Sequence, residues 1–210
     1  MARIKVDGVQ VEAREGAPLL EVLRGMGIRV PTLCHNEAVS PYGACRLCLV
    51  EVASGPRTML AASCLYPVAE GIEVSTTSER VRRARRMVVE LLLARCGDVP
   101  RVRQVAEELG VTRSRFPQRH EACLLCGLCV RGCAQIAGVG AIDFTNRGVH
   151  MELSSAFGVP SEACVGCATC VYLCPADAVR LDAIRSRPSP HRMDRSGRVR
   201  CAVCVPQATP

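Results

Sequence analysis

A chain of 210 residues has room for two or three small domains but not for one large core, and with 3% aromatic residues and no Trp its cores must be built from Val, Leu, Ile and Ala. Small aromatic-poor domains need covalent or metal staples, and the 15 Cys would supply them, although an odd count argues against a simple disulfide framework. The formal charge of +7 invites a nucleic-acid reading, yet Arg80-Val81-Arg82-Arg83-Ala84-Arg85-Arg86 has no interleaved aromatics. It reads as the solvated or partner-facing side of a helix, and no nucleic-acid partner is expected.

The first elements are strands. Ile4–Val6 and Val9–Val11 alternate about Asp7-Gly8, a two-residue hairpin signal. Pro18 opens a helical stretch, Leu19–Arg24, closed by Gly25 or Gly27. A cysteine-bearing loop follows, then strand candidates Leu47–Val52, Thr58–Ala61 and Ile72–Val74. Strand, strand, helix, cysteine loop, strand is the order of a β-grasp domain. From Ser78 the period becomes helical, with Val81, Ala84, Val88, Leu91 and Leu92 on one face and most arginines opposite. A second helix is expected over Val102–Leu109, stopping at Gly110. Further on, Ala141–Phe144 and Val149–Glu152 form a hairpin-like pair around Thr145-Asn146-Arg147-Gly148. The segment after Ile184, rich in Arg, Pro and Ser, reads as an extended arm.

The cysteines carry the chemistry. Cys123, Cys126, Cys129 and Cys133, then Cys164, Cys167, Cys170 and Cys174, repeat the run C-x2-C-x2-C-x3-C, with Pro175 after the last ligand. Bacterial ferredoxins hold a pair of [4Fe-4S] cubanes by this spacing. Three thiolates two residues apart wrap three corners of one cube, and the fourth completes the other. The expected sets are Cys123, Cys126, Cys129 with Cys174, and Cys164, Cys167, Cys170 with Cys133. Two interleaved triple runs do not sort naturally into tetrahedral zinc sites. Ala134 stands where a simple two-cluster ferredoxin often also has Pro.

Upstream, Cys34, Cys45, Cys48 and Cys64 form C-x10-C-x2-C-x15-C. Gly43 and Ala44 leave room for the backbone to approach and point N–H groups at sulfur. A four-Cys zinc site is also compatible with the central C-x2-C, but the β-grasp context and the cubane pair behind it favour [2Fe-2S]. Oxidised clusters of about −2 each would bring the folded chain near neutrality. Cys96, Cys201 and Cys204 are left over. Cys201-x2-Cys204 reads either as half of an extra metal site shared with a partner or as two ordinary thiols; His191 is a candidate to join them, although a lone His in an Arg-Ser-Pro tail is more often just solvated.

With the cysteines mapped, the chain resembles the N-terminal part of the large iron–sulfur subunit of respiratory NADH dehydrogenase. It is closer still to the short diaphorase iron–sulfur subunit of NAD-linked hydrogenases and the front domains of iron-only hydrogenases. The matching stretches are Val30-Pro31-Thr32-Leu33-Cys34-His35, Gly43–Val52, Met87–Leu93, Cys126-Gly127-Leu128-Cys129-Val130-Arg131, Gly138–Ile142 and Asn146-Arg147-Gly148. The resemblance implies an α+β chain divided into a β-grasp [2Fe-2S] domain at 1–77, a helical linker at 78–116, a two-[4Fe-4S] bacterial-ferredoxin-like domain at 117–184, and a basic tail at 185–210. It implies one [2Fe-2S] and two [4Fe-4S] clusters that relay electrons between a flavin-containing NAD(P)H diaphorase subunit and a catalytic subunit of hydrogenase or formate dehydrogenase type. One departure stands out. The family carries a further [4Fe-4S] cluster on His-x3-Cys-x2-Cys-x5-Cys after the Leu-rich helix, whereas Leu93–Arg101 offers only Cys96, with no His before His120.

Two other functions compete. Succinate and fumarate enzymes also pair [2Fe-2S] with cubane-type clusters, but the gap between Cys34 and Cys45 is too long for plant-type C-x4-C spacing. A zinc-rich adaptor is the third reading. No Ser-His-Asp set, paired carboxylates or nucleotide loop stands out, so no catalytic residue is assigned to this chain. Met1–Lys5 runs straight into a strand pattern without an export signal. No apolar run reaches the roughly 18–20 residues of a membrane span. A cytoplasmic, reducing setting is therefore expected.

Overall fold

The computed structural model describes residues 1–181 and 184, with the backbone alone of 191–193 and 199–201. The hairpin at its start follows from Asp7 (φ 46°) and Gly8 (φ 90°), whose left-handed backbone closes a tight loop with Val6 opposite Val9. The strands it joins are β1 (Ala2–Val6) and β2 (Val9–Ala13). In β1 alternate residues are buried, so Ala2, Ile4 and Val6 face the core. Helix α1 (Leu19–Gly25) buries Leu19, Leu20 and Leu23 completely. Strands β3 (Leu49–Ser54), β4 (Arg57–Ala62) and β5 (Glu73–Ser75) complete a sheet of order β2-β1-β5-β3-β4. All its pairings are antiparallel except β1 with β5.

Two helices follow in the same unit. α2 (Glu79–Cys96) begins at Ser78, whose side chain accepts a hydrogen bond from the Val81 N–H at 3.2 Å. Its buried face differs from the sequence expectation. Val81, Arg85, Val89, Leu93 and Cys96 point inward, while Leu91 is 51% exposed. A four-residue step from Val81 to Leu93 selects that face, and it carries Arg85 into the interior. α3 (Pro100–Glu108) takes Pro100 in its first turn and ends before Gly110 (φ 69°). These elements form one compact unit, Met1–Asn36 with Pro41–Cys126.

The second unit comprises Glu37–Ser40 and the described residues from Gly127 onward. Its two short helices, α4 (Leu128–Arg131) and α5 (Thr169–Tyr172), start at equivalent places in the two cysteine runs. The residue before each is left-handed, Gly127 at φ 69° and Ala168 at φ 62°. A π-helical turn, Gly132–Ile136, extends α4. The inserted hairpin is shifted from its expected position. β6 (Asp143–Thr145) pairs with β7 (Glu152–Ser154), Phe144 facing Leu153, because Asn146 (φ 61°) and Gly148 (φ 60°) open a wider loop containing a 3-10 turn at Gly148–His150. Toward the C-terminus β8 (His191–Met193) pairs antiparallel with β9 (Val199–Cys201) within the segment expected as an extended arm, the rest of which lies outside the described residues.

Candidate metal centres

In the first unit the loop between α1 and β3, with the turn after β4, gathers Cys34, Cys45, Cys48 and Cys64, all buried. They come together as two pairs. The Cys45 N–H donates to Cys34 Sγ at 3.3 Å, and the Leu33 N–H to Cys45 Sγ at 3.4 Å. Cys48 Sγ lies 3.4 Å from Cys64 Sγ. Cys64 also interacts electrostatically with Cys34 and Cys45, and four cysteine thiolates are the ligand set that a [2Fe-2S] cluster would take here. The hydrogen bond from the Cys64 thiol draws the Cys48 thiol down to about 6. Thiol hydrogen bonds to their partners, then burial, push Cys45 and Cys64 far above the ordinary range. The shifts run in opposite directions because the thiols of a pair share a proton; a cationic iron core would deprotonate all four, as coordination does to a thiol.

The loop is fixed by its neighbours. Ser63 Oγ and the Ser63 N–H both donate to the Cys48 carbonyl, at 2.9 and 3.1 Å. Gly43 sits at φ 71°, a left-handed backbone that favours glycine; a Cβ there would lie 2.4 Å from Leu65 Cδ1, but that side chain is 48% exposed and has room to turn aside. Arg85, 7% exposed, donates from Nε to the Leu49 carbonyl at 3.0 Å, next to Cys48. Its Nη2 is buried without a partner. Desolvation lowers its pKa, against the opposing pull of Cys48 and Asp7. A buried guanidinium so short of counter-charge fits a site that receives a negatively charged cluster.

That placement yields a prediction. Arg85→Met should keep the iron but lower the midpoint potential of the [2Fe-2S] centre by tens of millivolts, the scale set by about 2 kcal/mol of lost charge attraction. Redox titration followed by electron paramagnetic resonance would measure it, with the cubane potentials as internal controls. An unmoved potential would show that Arg85 serves packing alone.

In the second unit Cys133, Cys164, Cys167 and Cys170 line one small recess together with Ile142, Leu181 and Ile184. These are the four residues expected to hold the second cubane. Burial, and then the neighbouring Cys133, raise the Cys170 thiol to about 11. The Ala141 N–H donates to Cys133 Sγ at 3.2 Å, and the Ala178 N–H to Cys174 Sγ at 3.2 Å. Cys129, Cys133, Cys164, Cys170 and Cys174 belong to one apolar cluster built on Ile142, Val179 and Ile184. Donors aimed at sulfur within an apolar shell fit an anionic cluster and tune its potential.

Cys123 and Cys126 lie in the first unit, where the Leu125 N–H donates to Cys123 Sγ at 3.4 Å. The C-terminal end of α2 grips this segment. Arg95 Nε donates to the Cys123 carbonyl at 2.9 Å, and the Cys96 thiol to the same oxygen at 3.3 Å. Cys96 is fully buried, and desolvation pushes its thiol up to about 11. Near by, His120 Nδ1 pairs with Asp98 Oδ2 at 2.7 Å. Cys204 lies outside the described residues, as do the side chains of Cys201 and His191.

Sequence reasoning missed Arg85, Arg95, Ser63 and Gly132. The four-residue spacing Val81, Arg85, Val89, Leu93 was the available signal for Arg85; the others act through backbone atoms or tight packing, which spacing does not reveal.

Comparison with known proteins agrees with the two kinds of site. Residues 1–79 match the 2Fe-2S iron-sulfur cluster binding domain, and residues 122–178 the 4Fe-4S dicluster domain. The chain is 30% identical over 218 residues to the NADPH-Fe(3+) oxidoreductase subunit alpha of Geobacter sulfurreducens, covering 90% of this chain and 25% of that protein. It is 32% identical to the NADH-ubiquinone oxidoreductase 75 kDa subunit of Reclinomonas americana, over 74% of this chain and 26% of that one. The NADP-reducing hydrogenase subunit HndD of Solidesulfovibrio fructosivorans is 30% identical, over 85% of this chain and 36% of its own length. The chain thus spans between a quarter and just over a third of these curated relatives. Among solved structures, a chain of an NAD+-reducing [NiFe]-hydrogenase in the H2-reduced state superposes with a TM-score of 0.59 at 27% identity, covering 74% of this chain and 75% of that one. The chain therefore joins a 2Fe-2S iron–sulfur domain to a 4Fe-4S dicluster domain, and is similar to parts of an NADP-reducing hydrogenase subunit and of the NADH-ubiquinone oxidoreductase 75 kDa subunit, and to a chain of an NAD+-reducing [NiFe]-hydrogenase.

Proposed function

We propose that this chain relays single electrons through three centres: one [2Fe-2S] on Cys34, Cys45, Cys48 and Cys64, and two [4Fe-4S]. The second cubane takes Cys133, Cys164, Cys167 and Cys170; the first takes Cys123, Cys126, Cys129 and Cys174, on the strength of the repeated run. The observation that carries this reading is the pairing of Cys34 with Cys45 and of Cys48 with Cys64 beside a buried Arg85. Bound clusters would supply reversible one-electron acceptance. The chain's own residues do the rest: N–H groups hold the sulfurs, apolar side chains exclude water, and Arg85 sets the local field. The partners are a flavin-containing NAD(P)H diaphorase subunit and a separate catalytic subunit of hydrogenase or formate dehydrogenase type, in a cytoplasmic complex. Relatives named as hydrogenase and NADH-ubiquinone oxidoreductase subunits support that assignment. No helix among the described residues is long and apolar enough to cross a membrane.

Metal analysis tests the proposal. Anaerobically purified protein should be brown and contain about ten iron atoms per chain, two plus four plus four, with little zinc. A value near fourteen would bring Cys96, Cys201 and Cys204 into a fourth cluster. Colourless protein with stoichiometric zinc would return the adaptor reading.

A further inference from the structure

The outward side of α2 is neither apolar nor uniformly charged. With Leu60 of β4, Val111 and Arg115, it forms an open cleft of about 870 Å³. Ala84, Met87, Leu60 and Val111 give it an apolar lining, with Met87 41% exposed. Around that lining stand the guanidinium groups of Arg80, Arg83, Arg86 and Arg115, against the carboxylates of Glu79 and Glu90. Glu90 is already committed. It accepts from Arg115 Nε and Nη2 at 2.7 and 2.9 Å, and from the Arg115 N–H at 2.7 Å. Arg80 is paired with Glu51 at 3.2 Å, and Arg86 donates from Nε to the Leu109 carbonyl at 3.2 Å. Arg83 has no hydrogen bond or ion pair among the described residues, so its whole fork of donors faces solvent. The cleft keeps an excess of positive charge and a free bidentate donor beside an apolar floor.

The geometry points to this cleft as the docking site for an acidic segment of the flavin-bearing partner subunit, its carboxylates on Arg83 and Arg86 and an apolar side chain between Leu60, Met87 and Val111. This inference rests on the proposed electron-relay role. None of the described residues that line the cleft is aromatic or glycine, and the neighbouring Phe116 ring is taken by the Arg115 guanidinium 5.9 Å from its centroid, which favours a protein segment over a stacked nucleotide. The position suits electron delivery. On the same helix, Arg85 reaches the Leu49 carbonyl beside Cys48, and β4 leads through Ser63 to Cys64. A partner seated here rests on the elements that hold the first unit's cysteine pairs. Opposite charges across such a surface speed association and make it salt-sensitive.

The test uses the cluster-loaded chain and the purified flavin-bearing diaphorase subunit, with affinity and association rate measured at low and high salt. Arg83→Glu should weaken binding about tenfold or more and flatten the salt dependence. Arg101→Glu, the same charge change on the exposed face of α3, should stay within about twofold of the wild type. Absence of binding, or equal effects of the two substitutions, would overturn the inference. So would saturable binding of NADPH or pyrophosphate to the chain alone that Arg83→Glu abolishes, because the cleft would then be a nucleotide site. NADH-driven bleaching, recorded in the same mixtures, reports separately on the relay role. Binding through Arg83 without bleaching removes that role and leaves the docking site; bleaching that ignores Arg83 does the reverse.

Discussion

Gly132→Val should strip the cubanes from this protein while leaving its [2Fe-2S] centre in place. Gly132 follows α4 directly and packs against α5: a Cβ there would lie 2.4 Å from Leu173 Cδ1 and 3.2 Å from Thr169 Cγ2. Leu173 is itself buried and has little room to retreat. α4 and the π-helical turn after it carry Cys129 and Cys133, and α5 carries Cys170, with Cys174 two residues beyond its end. A single methyl, as in Gly132→Ala, should cost about 1–3 kcal/mol of overpacking and leave the cubanes bound. Valine adds two further carbons in a β-branched shape with few rotamers to escape into. Iron should fall from about ten to about two atoms per chain, with the [2Fe-2S] resonance intact. Gly43 and the cysteine pairs belong to the other unit, with its own apolar core of β1, α1, β3 and β5 side chains. Retention of the full iron complement by Gly132→Val would show that the close approach of α4 and α5 is not required for the cubane sites.

What the sequence revealed, and what it hid, divides along the range of the interactions. The hairpin at Asp7-Gly8, helix α1 and the ends of α3 are set by local backbone chemistry, and they lie within a residue or two of expectation. The strand expected from Leu47 begins at Leu49 because Leu47 and Cys48 stay in the cysteine loop. There the Cys48 carbonyl is taken by the Ser63 hydroxyl and N–H instead of a strand partner. Helix α2 shows the other kind of failure. Its periodicity identified the helix but chose the wrong face, since Arg85 counts as polar in any pattern and only its contact with the Leu49 carbonyl shows what the inward guanidinium does. Spacing also said nothing of Glu37–Ser40. These residues lie between two cysteines of the first unit, yet Ser40 exchanges hydrogen bonds with Gln135 at 2.7 and 2.8 Å, and its carbonyl accepts from Arg131. Such contacts join residues more than ninety positions apart. The cysteine runs were legible because cluster ligation imposes its own short-range spacing.

Dithionite should reduce the purified chain, and NADH should leave it untouched. The described residues gather thiols, sulfur-directed N–H groups and a buried cation around two kinds of site, and each of these handles one electron at a time. A nicotinamide delivers a hydride, two electrons and a proton together, and dividing that pair is work for a flavin. Adding the proposed partner, a flavin-bearing diaphorase subunit, should therefore let NADH bleach the visible absorption of the clusters, as far as their potentials permit. The expected contrast is between no measurable bleaching without the partner and clear bleaching with it. High salt should slow the coupled reaction by screening encounter, since a Debye length of about 10 Å at 0.1 M falls to about 3 Å at 1 M. The same salt should leave dithionite reduction of the isolated chain unchanged, which separates weakened docking from damage to the clusters. Direct bleaching of the flavin-free chain by NADH would sink the relay reading, because it demands a nicotinamide site and a two-electron acceptor within this chain.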